Sequence, residues 1–210
     1  YGSVPEGESV ETDELRPRNP YSASKAAADR LAYSYWASYQ VPVVVTRASN
    51  NYGPNQFPEK VIPLFITNLI DGLKVPLYGD GQHIRDWLHV DDHCRAIDVV
   101  IAKGLGGEVY NVGGGNEVKN VDLTHRLLTH TGRDRDSIQP VADRIGHDRR
   151  YALSTAKMRA LGWKPEVPFE EGLARTVRWY QENEWWWRPI KDQDPAFKAY
   201  YEAQYGRPRS

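Results

Sequence analysis

Tyr21 and Lys25 are the residues of this chain whose types and spacing most directly suggest chemistry. They follow Asn19, a favoured helix N-cap residue, and Pro20, which suits the first position of a helix. Residues four apart lie on the same helical face. An ammonium group beside a phenol favours the phenolate and lowers the phenol pKa from its reference value of about 10. The pair could therefore accept a proton from a substrate hydroxyl, although the same spacing also arises in ordinary amphipathic helices.

The composition describes a soluble globular protein of one large domain or two small ones. The 210 residues are 40% apolar and carry a formal net charge of −1. The nearly neutral net charge therefore gives no indication that the chain binds nucleic acid or an anionic membrane. The sequence shows no signal peptide and no apolar run of the ~20 residues needed to span a bilayer. Cys94 is the single cysteine, which excludes an internal disulfide and cysteine-cluster metal sites and favours a reducing cytoplasm.

The Tyr21 segment is followed by a pattern typical of an α/β unit. A helix predicted over about 20–40 precedes the β-branched run Val41–Arg47, which indicates a buried parallel strand. Such sheets bind ligands beyond the carboxyl ends of their strands. Asn50 and Asn51, which come directly after this run, are therefore predicted to lie at a ligand crevice. Adjacent asparagines before Gly-Pro are equally consistent with turn chemistry.

The rest of the chain alternates short strands and helices. The patterns predict helices over about 60–73, 92–103, 121–131, 154–161 and 169–184, and short strands over 75–78, 84–90 and 108–112. The triple glycine 113–115 lacks the spacing of a phosphate-binding loop and indicates a turn. Three tryptophans and Pro189 are predicted to stop the last helix. The final twenty residues carry weak signals of order.

Two charged clusters have alternative explanations. His89, Asp91, Asp92 and His93 are metal-ligand residue types, but no helix or strand geometry would converge all four. We therefore predict a capping aspartate pair with partly exposed histidines and no metal. Residues 143–150 are dense in cations that could grip a diphosphate, or they form a solvated charged loop.

With these segments laid out, the chain resembles the extended short-chain dehydrogenase/reductase family, and within it the dTDP-glucose 4,6-dehydratases. The resemblance covers about residues 1–190. The matching segments are N-P-Y-S-A-S-K (19–25), S-N-N-Y-G-P-N-Q-F-P-E-K-V-I-P (49–63), V-P-L-Y-G-D-G (75–81), R-D-W-L-H-V-D-D-H (85–93), Y-N-V-G-G (110–114), D-R-I-G-H-D-R-R-Y-A (143–152) and F-E-E-G-L (169–173). The Y-x-x-x-K pair marks the whole superfamily. The segments 49–63 and 143–152 are more specific to dehydratases among sugar-nucleotide enzymes.

The resemblance implies an α/β fold, in which the C-terminal part of a Rossmann-like parallel-sheet domain is joined to a smaller α/β substrate-binding domain. The implied division places 1–53 and about 84–111 in the NAD-binding domain, 54–83 and about 112–188 in the nucleotide-sugar-binding domain, and 189–210 in a C-terminal tail. It also implies a homodimer paired through the Tyr21 helix and its neighbour, with no nucleic acid and no membrane.

The resemblance further implies a lyase that uses NAD as cofactor and a dTDP-hexose as substrate. Members oxidise the 4-position of the sugar, eliminate water across the 5- and 6-positions, and return the hydride to the 6-position. Tyr21 would take the proton of the 4-hydroxyl, and Lys25 would lower the tyrosine pKa and bind the nicotinamide ribose. Asn51 would line the nicotinamide site. The implied substrate-binding residues are Asn50 at the sugar, Lys60, Val61, Pro76, Leu77 and Tyr78 at the nucleotide portion, and Arg85, Asn111, Asp143, Arg144 and His147 at the diphosphate and nucleoside.

The chain departs from the family pattern at its start. Members begin with a strand, a glycine-rich loop and a helix that carry the NAD pyrophosphate. They also carry a T-D-E segment just before Y-G, whose acid and base eliminate water, whereas this sequence opens at Tyr1-Gly2. Asp13 and Glu14 follow Y-G and lie only a few residues before Tyr21, so the elimination roles are not transferred to them.

We therefore expect the carboxyl-terminal two-thirds of a dehydratase, with an unpaired sheet edge and exposed apolar surface. Such a chain alone is expected neither to bind NAD tightly nor to turn over substrate. The alternatives are a sugar-nucleotide epimerase or decarboxylase of the same family, or a non-catalytic nucleotide-sugar-binding fragment.

Overall fold

The computed structural model describes residues 1–144 and 146–205, and its architecture is α/β, as predicted. The strands are β1 (Val45–Ala48), β2 (Asn50–Tyr52), β3 (Val75–Tyr78), β4 (Ile84–His89), β5 (Val109–Val112), β6 (Glu117–Lys119) and β7 (Ile138–Val141). The α-helices are α1 (Pro20–Tyr39), α2 (Val61–Ile70), α3 (Val90–Lys103), α4 (Asn120–Thr131), α5 (Ala156–Ala160), α6 (Phe169–Glu182), α7 (Glu184–Gln193) and α8 (Pro195–Tyr205), with a 3-10 helix at Arg135–Ser137. Among these described residues, no helix is both long and apolar enough to cross a membrane.

The described residues divide into two compact units. Unit 1 draws on Tyr1–Asn51, His83–Val118 and Ile145–Phe169, and unit 2 on Tyr52–Gln82, Lys119–Arg144 and Glu170–Ser210. The sequence-based division assigned all of 112–188 to the nucleotide-sugar-binding domain, whereas unit 1 contains the described part of 145–169. The compactness of a unit does not show which ligand it binds. The assignment of one domain to NAD and the other to the nucleotide sugar therefore remains a prediction.

Unit 1 is built on the parallel pair β1–β5, in which Val45 pairs with Val109 and Ala48 with Val112. A second sheet has the order β2-β4-β6. A cluster of buried side chains forms a hydrophobic core in this unit. It draws on β4, α3, β5 and the segment that contains α5. Its members are Leu88, Ala96, Val100, Tyr110, Val112, Met158 and Trp163. These elements form because a β-branched run and an amphipathic helix bury their apolar faces against each other.

The strand predicted over Val41–Arg47 is present but shifted, since β1 begins at Val45. Its residues are half-buried or exposed, whereas the apolar run predicted full burial. The reason is that β1 pairs only with β5 among the described strands. Among the described strands, the second edge of β1 therefore has no strand partner.

Unit 2 contains the second parallel pair, β3–β7, with Val75 opposite Ile138. Helix α2 packs against α4 and against β3, and eight of its ten residues are buried. This almost uniformly apolar helix is typical of a core element rather than a surface one.

The C-terminal region is more helical than the sequence predicted. Pro189 was predicted to stop a helix, but it lies inside α7, and α8 follows with Phe197 buried. A proline inside a helix costs roughly 3 kcal/mol. This cost is offset by tertiary burial, because Trp187 is fully buried and its indole N–H donates to the carbonyl of Tyr180 at 2.8 Å. Residues 206–210 of the predicted tail lie outside the described residues.

Candidate functional site

Tyr21 and Lys25 lie on the first turns of α1, as the sequence predicted. Asn19 is the N-cap, its side-chain oxygen accepts the N–H of Ser22 at 2.9 Å, and Pro20 occupies the first turn. The Tyr21 side chain is 74% exposed and Lys25 is also exposed. The cap fixes where the helix begins, and therefore where the phenol and the ammonium group project.

Both side chains border a cavity of about 630 Å³ within unit 1. Its wall is formed by one side of α1, by β1 and the residues around it, and by the segments near residues 1–17 and 148–153. The volume lies within the range of about 300–1,000 Å³ that small-molecule sites occupy. Asn50 borders the same cavity. The structure thus brings together three of the predicted site residues: Tyr21, Lys25 and Asn50.

Asn51 does not line this cavity but is held directly beside Asn50 in β2. Its side-chain nitrogen donates to the carbonyl of Ser49 at 3.0 Å, and its side-chain oxygen lies 2.8 Å from Nδ1 of His93. Burial lowers the pKa of the His93 imidazole. The sequence placed His93 in a candidate metal cluster and gave no sign of this pairing.

Asp86 forms a buried acidic group at the cavity wall that the sequence analysis missed. It is 2% exposed, and its two carboxylate oxygens accept the N–H groups of Gly114 and Asn116 at 2.9 and 2.7 Å. Burial raises the pKa of this carboxyl group. The Gly114 N–H is therefore already bonded to Asp86, and the triple glycine lies in the segment that connects β5 and β6.

Arg85 is buried, and its guanidinium group makes hydrogen bonds within unit 1. Its guanidinium group donates to the carbonyls of Ile84 and Asp148, each at 2.8 Å, and lies 4.3 Å from the ring centre of Tyr151. The Tyr151 hydroxyl donates to the Asp148 carboxylate at 2.9 Å. This packing orders the cationic segment around residue 148 against β4. The predicted contact between Arg85 and a diphosphate remains a prediction.

His147 lies in the same segment and stacks on His83, with the ring centres 4.0 Å apart. Arg18, just before the α1 cap, approaches the Asp148 carboxylate at 3.8 Å. The segment that contains His147 is thus close to the start of the Tyr21 helix within unit 1. The sequence suggested this convergence only through the family resemblance.

Asn111 is fully buried, and protein groups occupy its side chain. Its oxygen accepts from the Tyr1 hydroxyl at 2.7 Å, and its nitrogen donates to the carbonyl of Ser9 at 3.0 Å. Arg47 extends the network, because it donates to the Tyr1 hydroxyl at 2.6 Å and pairs with both carboxylate oxygens of Asp29. In this structure Asn111 ties the N-terminal segment to β5. A diphosphate or nucleoside contact would require its present partners to be displaced.

Unit 2 holds the remaining predicted residues. Tyr78 ends β3, and the Arg144 guanidinium group lies 4.4 Å from its ring centre. The Tyr78 hydroxyl accepts from Gln204 at 2.6 Å, and Asp143 lies beside Gly79. Pro76 is buried and Leu77 is half-buried in β3. The structure thus brings Tyr78, Asp143 and Arg144 close together, and their predicted contacts with the substrate remain predictions.

Lys60 and Val61 lie apart from that group in the chain, at the start of α2. Lys60 is the N-cap residue without a side-chain capping bond, and its exposed ammonium group pairs with Glu59 at 3.2 Å. Val61 is half-buried. Their predicted contacts with the nucleotide remain predictions.

The predicted capping role of the aspartate pair was wrong in detail. The N-cap of α3 is His89, whose Nδ1 accepts the N–H of Asp91 at 3.2 Å. His89 is 2% exposed rather than partly exposed. Asp92 is also buried and accepts the N–H groups of Glu166 and Val167 at 2.9 and 3.0 Å. Nδ1 of His89 lies 3.5 Å from the Asp91 carboxylate, whereas Asp92 and His93 contact other partners, so the described contacts do not bring all four side chains together.

Comparison with known proteins places this geometry in context. The family model described as GDP-mannose 4,6 dehydratase matches residues 1–176. A dTDP-glucose 4,6-dehydratase of Streptomyces antibioticus is 57% identical over 192 residues, which cover 91% of this chain and 57% of that protein. This chain therefore spans less than two-thirds of the length of the relative.

Solved structures give the same pattern. A dTDP-glucose 4,6-dehydratase from Streptomyces venezuelae with NAD and TYD bound has a TM-score of 0.89 and 53% identity, covering 90% of this chain and 59% of that one. A UDP-glucose 4-epimerase of Thermus thermophilus in complex with NAD has a TM-score of 0.81 and 35% identity, covering 87% and 61%. Both similarities extend over most of this chain, and the dehydratase is the more similar in sequence.

Proposed function

Because the chain belongs to the family described as GDP-mannose 4,6 dehydratase, we propose that it is part of a dTDP-glucose 4,6-dehydratase. The observation that carries the proposal is the joint exposure of Tyr21, Lys25 and Asn50 to one cavity beside the end of β1. The identity of 57% to the Streptomyces antibioticus dehydratase supports the same assignment. The reaction converts dTDP-glucose to dTDP-4-keto-6-deoxyglucose.

The residues present fit one end of NAD. An exposed phenol and an exposed ammonium group at the rim of a 630 Å³ cavity suit a nicotinamide ribose and a substrate hydroxyl. When bound, NAD supplies the acceptor for a hydride that later returns to the sugar. The sequence contains no G-x-G-x-x-G motif for the pyrophosphate. The other end of NAD would therefore be held by the region in which the longer relatives exceed this chain.

The residues of this chain have separate roles in the proposed reaction. Tyr21, as the phenolate, accepts the proton of the sugar 4-hydroxyl and becomes the neutral phenol, while the Lys25 ammonium group favours the phenolate form and binds the ribose. Asn50 contacts the sugar. Asn51 is adjacent to Asn50 but outside the cavity lining, and its assignment to the nicotinamide end follows from the family resemblance. Within unit 2, the Arg144 guanidinium group lies over the Tyr78 ring, and the family resemblance implies nucleotide contacts for both residues. Elimination of water across the 5- and 6-positions needs an acid and a base that we do not assign to this chain.

We also propose that two copies pair through α1. All twenty residues of this helix are at least partly exposed. Leu31, Tyr35 and Tyr39 form an i, i+4, i+8 row with exposed fractions of 60%, 50% and 74%. A row of exposed large apolar side chains on one helix face suits a helix–helix interface. A cytoplasmic location is supported by the single cysteine, Cys94, which is a free thiol.

The function is tested by complementation. The 210-residue chain is mixed or co-expressed with the part of the Streptomyces antibioticus dehydratase that this chain does not cover. Formation of a 4-keto-6-deoxy sugar nucleotide is expected from the pair. Tyr21→Phe should lower the rate by about 10²- to 10⁴-fold, the range of general acid–base catalysis. Tyr33→Phe, elsewhere on α1, is the matched control and should retain the rate.

The outcomes separate the candidate functions. A C4-epimerised or decarboxylated product would show another sugar-nucleotide enzyme. Calorimetric binding of dTDP-glucose by the paired chains without product would show a non-catalytic binding module. The chain alone should show neither tight NAD binding nor turnover, and dehydratase activity of the purified chain with added NAD would contradict that expectation.

A further inference from the structure

The amide orientation of Asn51 can be deduced from one of its partners. The Ser49 carbonyl oxygen lies 3.0 Å from the Asn51 side-chain nitrogen and can only accept a hydrogen bond. The amide must therefore direct its NH₂ group towards Ser49. Its oxygen then faces Nδ1 of His93 at 2.8 Å, and that oxygen can only accept.

This orientation determines the tautomer of His93. Because the Asn51 oxygen accepts, Nδ1 of His93 must carry the hydrogen and donate it. Nε2 of the neutral ring is then the lone-pair nitrogen. It is buried and has no hydrogen-bond partner among the described residues. A doubly protonated ring would place an unpaired N–H in this buried position, and the lowered pKa of His93 agrees with a neutral imidazole.

His89, one helical turn earlier, provides a contrast. Its Nδ1 accepts the N–H of Asp91 at 3.2 Å, so in the neutral ring the hydrogen lies on Nε2. Two histidines at the start of α3 are thus held as opposite tautomers. The local contacts, rather than the shared helix, decide which nitrogen is protonated.

We propose that His93 is a positioning residue that locks the Asn51 amide through its Nδ1–H tautomer. If the Asn51 amide were flipped, its NH₂ group would face the Nδ1–H of His93, which is also a donor. Its oxygen would face the Ser49 carbonyl oxygen, which is also an acceptor. Both contacts would therefore become repulsive. The importance of this lock rests on the proposed function, in which Asn51 lines the nicotinamide site. Sites of this kind need partners that hold the contacting residue in one orientation.

The test uses nitrogen-15 NMR of the 210-residue chain near neutral pH. Long-range proton–nitrogen correlations should show one ring in the Nδ1–H form, and this signal should vanish in His93→Asn. The His89 ring should show the Nε2–H form as an internal control. A His93 ring that is doubly protonated or in the Nε2–H form would overturn the proposal.

Two substitutions test the lock itself. Asparagine at position 93 keeps an N–H donor near the place of Nδ1, whereas leucine keeps similar bulk without a donor. The Asn51 side-chain amide signals, assigned by their loss in Asn51→Asp, should stay in place in His93→Asn. In His93→Leu they should move, and their exchange with water should accelerate about tenfold, which corresponds to the loss of one hydrogen bond.

Unchanged Asn51 signals in a folded His93→Leu chain would contradict the lock. Should His93→Leu fail to fold, the tautomer and the His93→Asn comparison still decide the question. None of these measurements requires NAD or turnover. Failure of the proposed function would therefore be recognised separately.

Discussion

At the scale of single residues, the side chains around the cavity are fixed by partners that lie far away in the sequence. Asp86 is an example: its carboxylate accepts the N–H of Gly114 and the N–H of Asn116. Both partners are donors, and a carboxylate is acceptor-only when ionised. An asparagine at this position would direct its NH₂ group at one of these two N–H donors.

Asp86→Asn should lower the free energy of unfolding by about 1–3 kcal/mol, the cost of leaving a buried donor unsatisfied. The new NH₂ group would face one backbone N–H that also donates. Urea unfolding followed by circular dichroism measures the difference. Asp98→Asn, on the exposed face of α3, is the control and should change stability by less than about 0.5 kcal/mol. An equally small change in Asp86→Asn would contradict the assigned hydrogen bonds.

The same residue predicts a pH effect. Burial raises the pKa of Asp86 above its unfolded value, so the folded chain binds more protons than the unfolded chain between the two pKa values. The stability contributed by Asp86 is therefore complete below the unfolded value of about 3.9 and falls as pH rises through the folded value. Unfolding curves of both chains from about pH 4 to 7 should show a margin of wild type over Asp86→Asn that narrows as pH rises. If the stability difference instead widened as pH rises, the hydrogen bonds to the ionised carboxylate would outweigh the cost of burying its charge.

At the scale of elements, the turn that follows β5 shows why particular glycines stand in it. A Cβ atom at Gly114 would lie 1.9 Å from the Trp87 carbonyl oxygen, which belongs to the backbone of β4. Gly115 has φ +69° but nothing within 4 Å of the place of its Cβ. Gly114 is therefore required because the backbone of β4 approaches it too closely for a side chain. Gly115 is favoured only because its backbone is in the left-handed conformation.

Gly114→Ala should lower the free energy of unfolding by more than about 3 kcal/mol, the upper end of the usual cost of overpacking. Gly115→Ala should lower it by only about 1–2 kcal/mol, the cost of a left-handed residue. Denaturant unfolding measures both free energies. The two variants are well matched, because the same glycine-to-alanine change is made at neighbouring positions. Equal effects would show that the turn is not packed against β4 in this way.

At the scale of the whole molecule, α1 exposes an apolar face that unit 1 does not cover. Its Leu31, Tyr35 and Tyr39 row supports the proposed pairing of two chains. The same helix carries Tyr21 and Lys25, so pairing would also stabilise the scaffold of the site.

The double substitution Leu31→Glu and Tyr39→Glu should convert a dimer into a monomer of 24.0 kDa. Four carboxylates, two from each copy, would be forced into an apolar interface, where their desolvation is costly. Sedimentation equilibrium at micromolar concentration measures the mass. Ile101→Glu, at a 78% exposed position of α3, is the control and should leave the dimer intact. A monomeric parent chain, or a double variant that still dimerises, would reject this face as the interface.

The sequence by itself determined the features whose causes are local. The Asn19 cap, Pro20 and the four-residue spacing fixed α1 and the common face of Tyr21 and Lys25, because capping and helical periodicity act within a few residues. The β-branched run and the helices that follow gave the α/β class for the same reason. Strands β2, β6 and β7 were missed, since short strands owe their stability to partners distant in the sequence.

The tertiary structure alone decided which of these residues meet. It gave Asn111 the partners Tyr1 and Ser9, placed Asp86 beneath the glycine turn, and set His93 against Asn51. It also overrode the proline signal in α7, because burial of Trp187 offsets the cost that Pro189 imposes. Each of these outcomes depends on long-range burial and hydrogen-bond pairing, for which a local pattern of residues carries no signal.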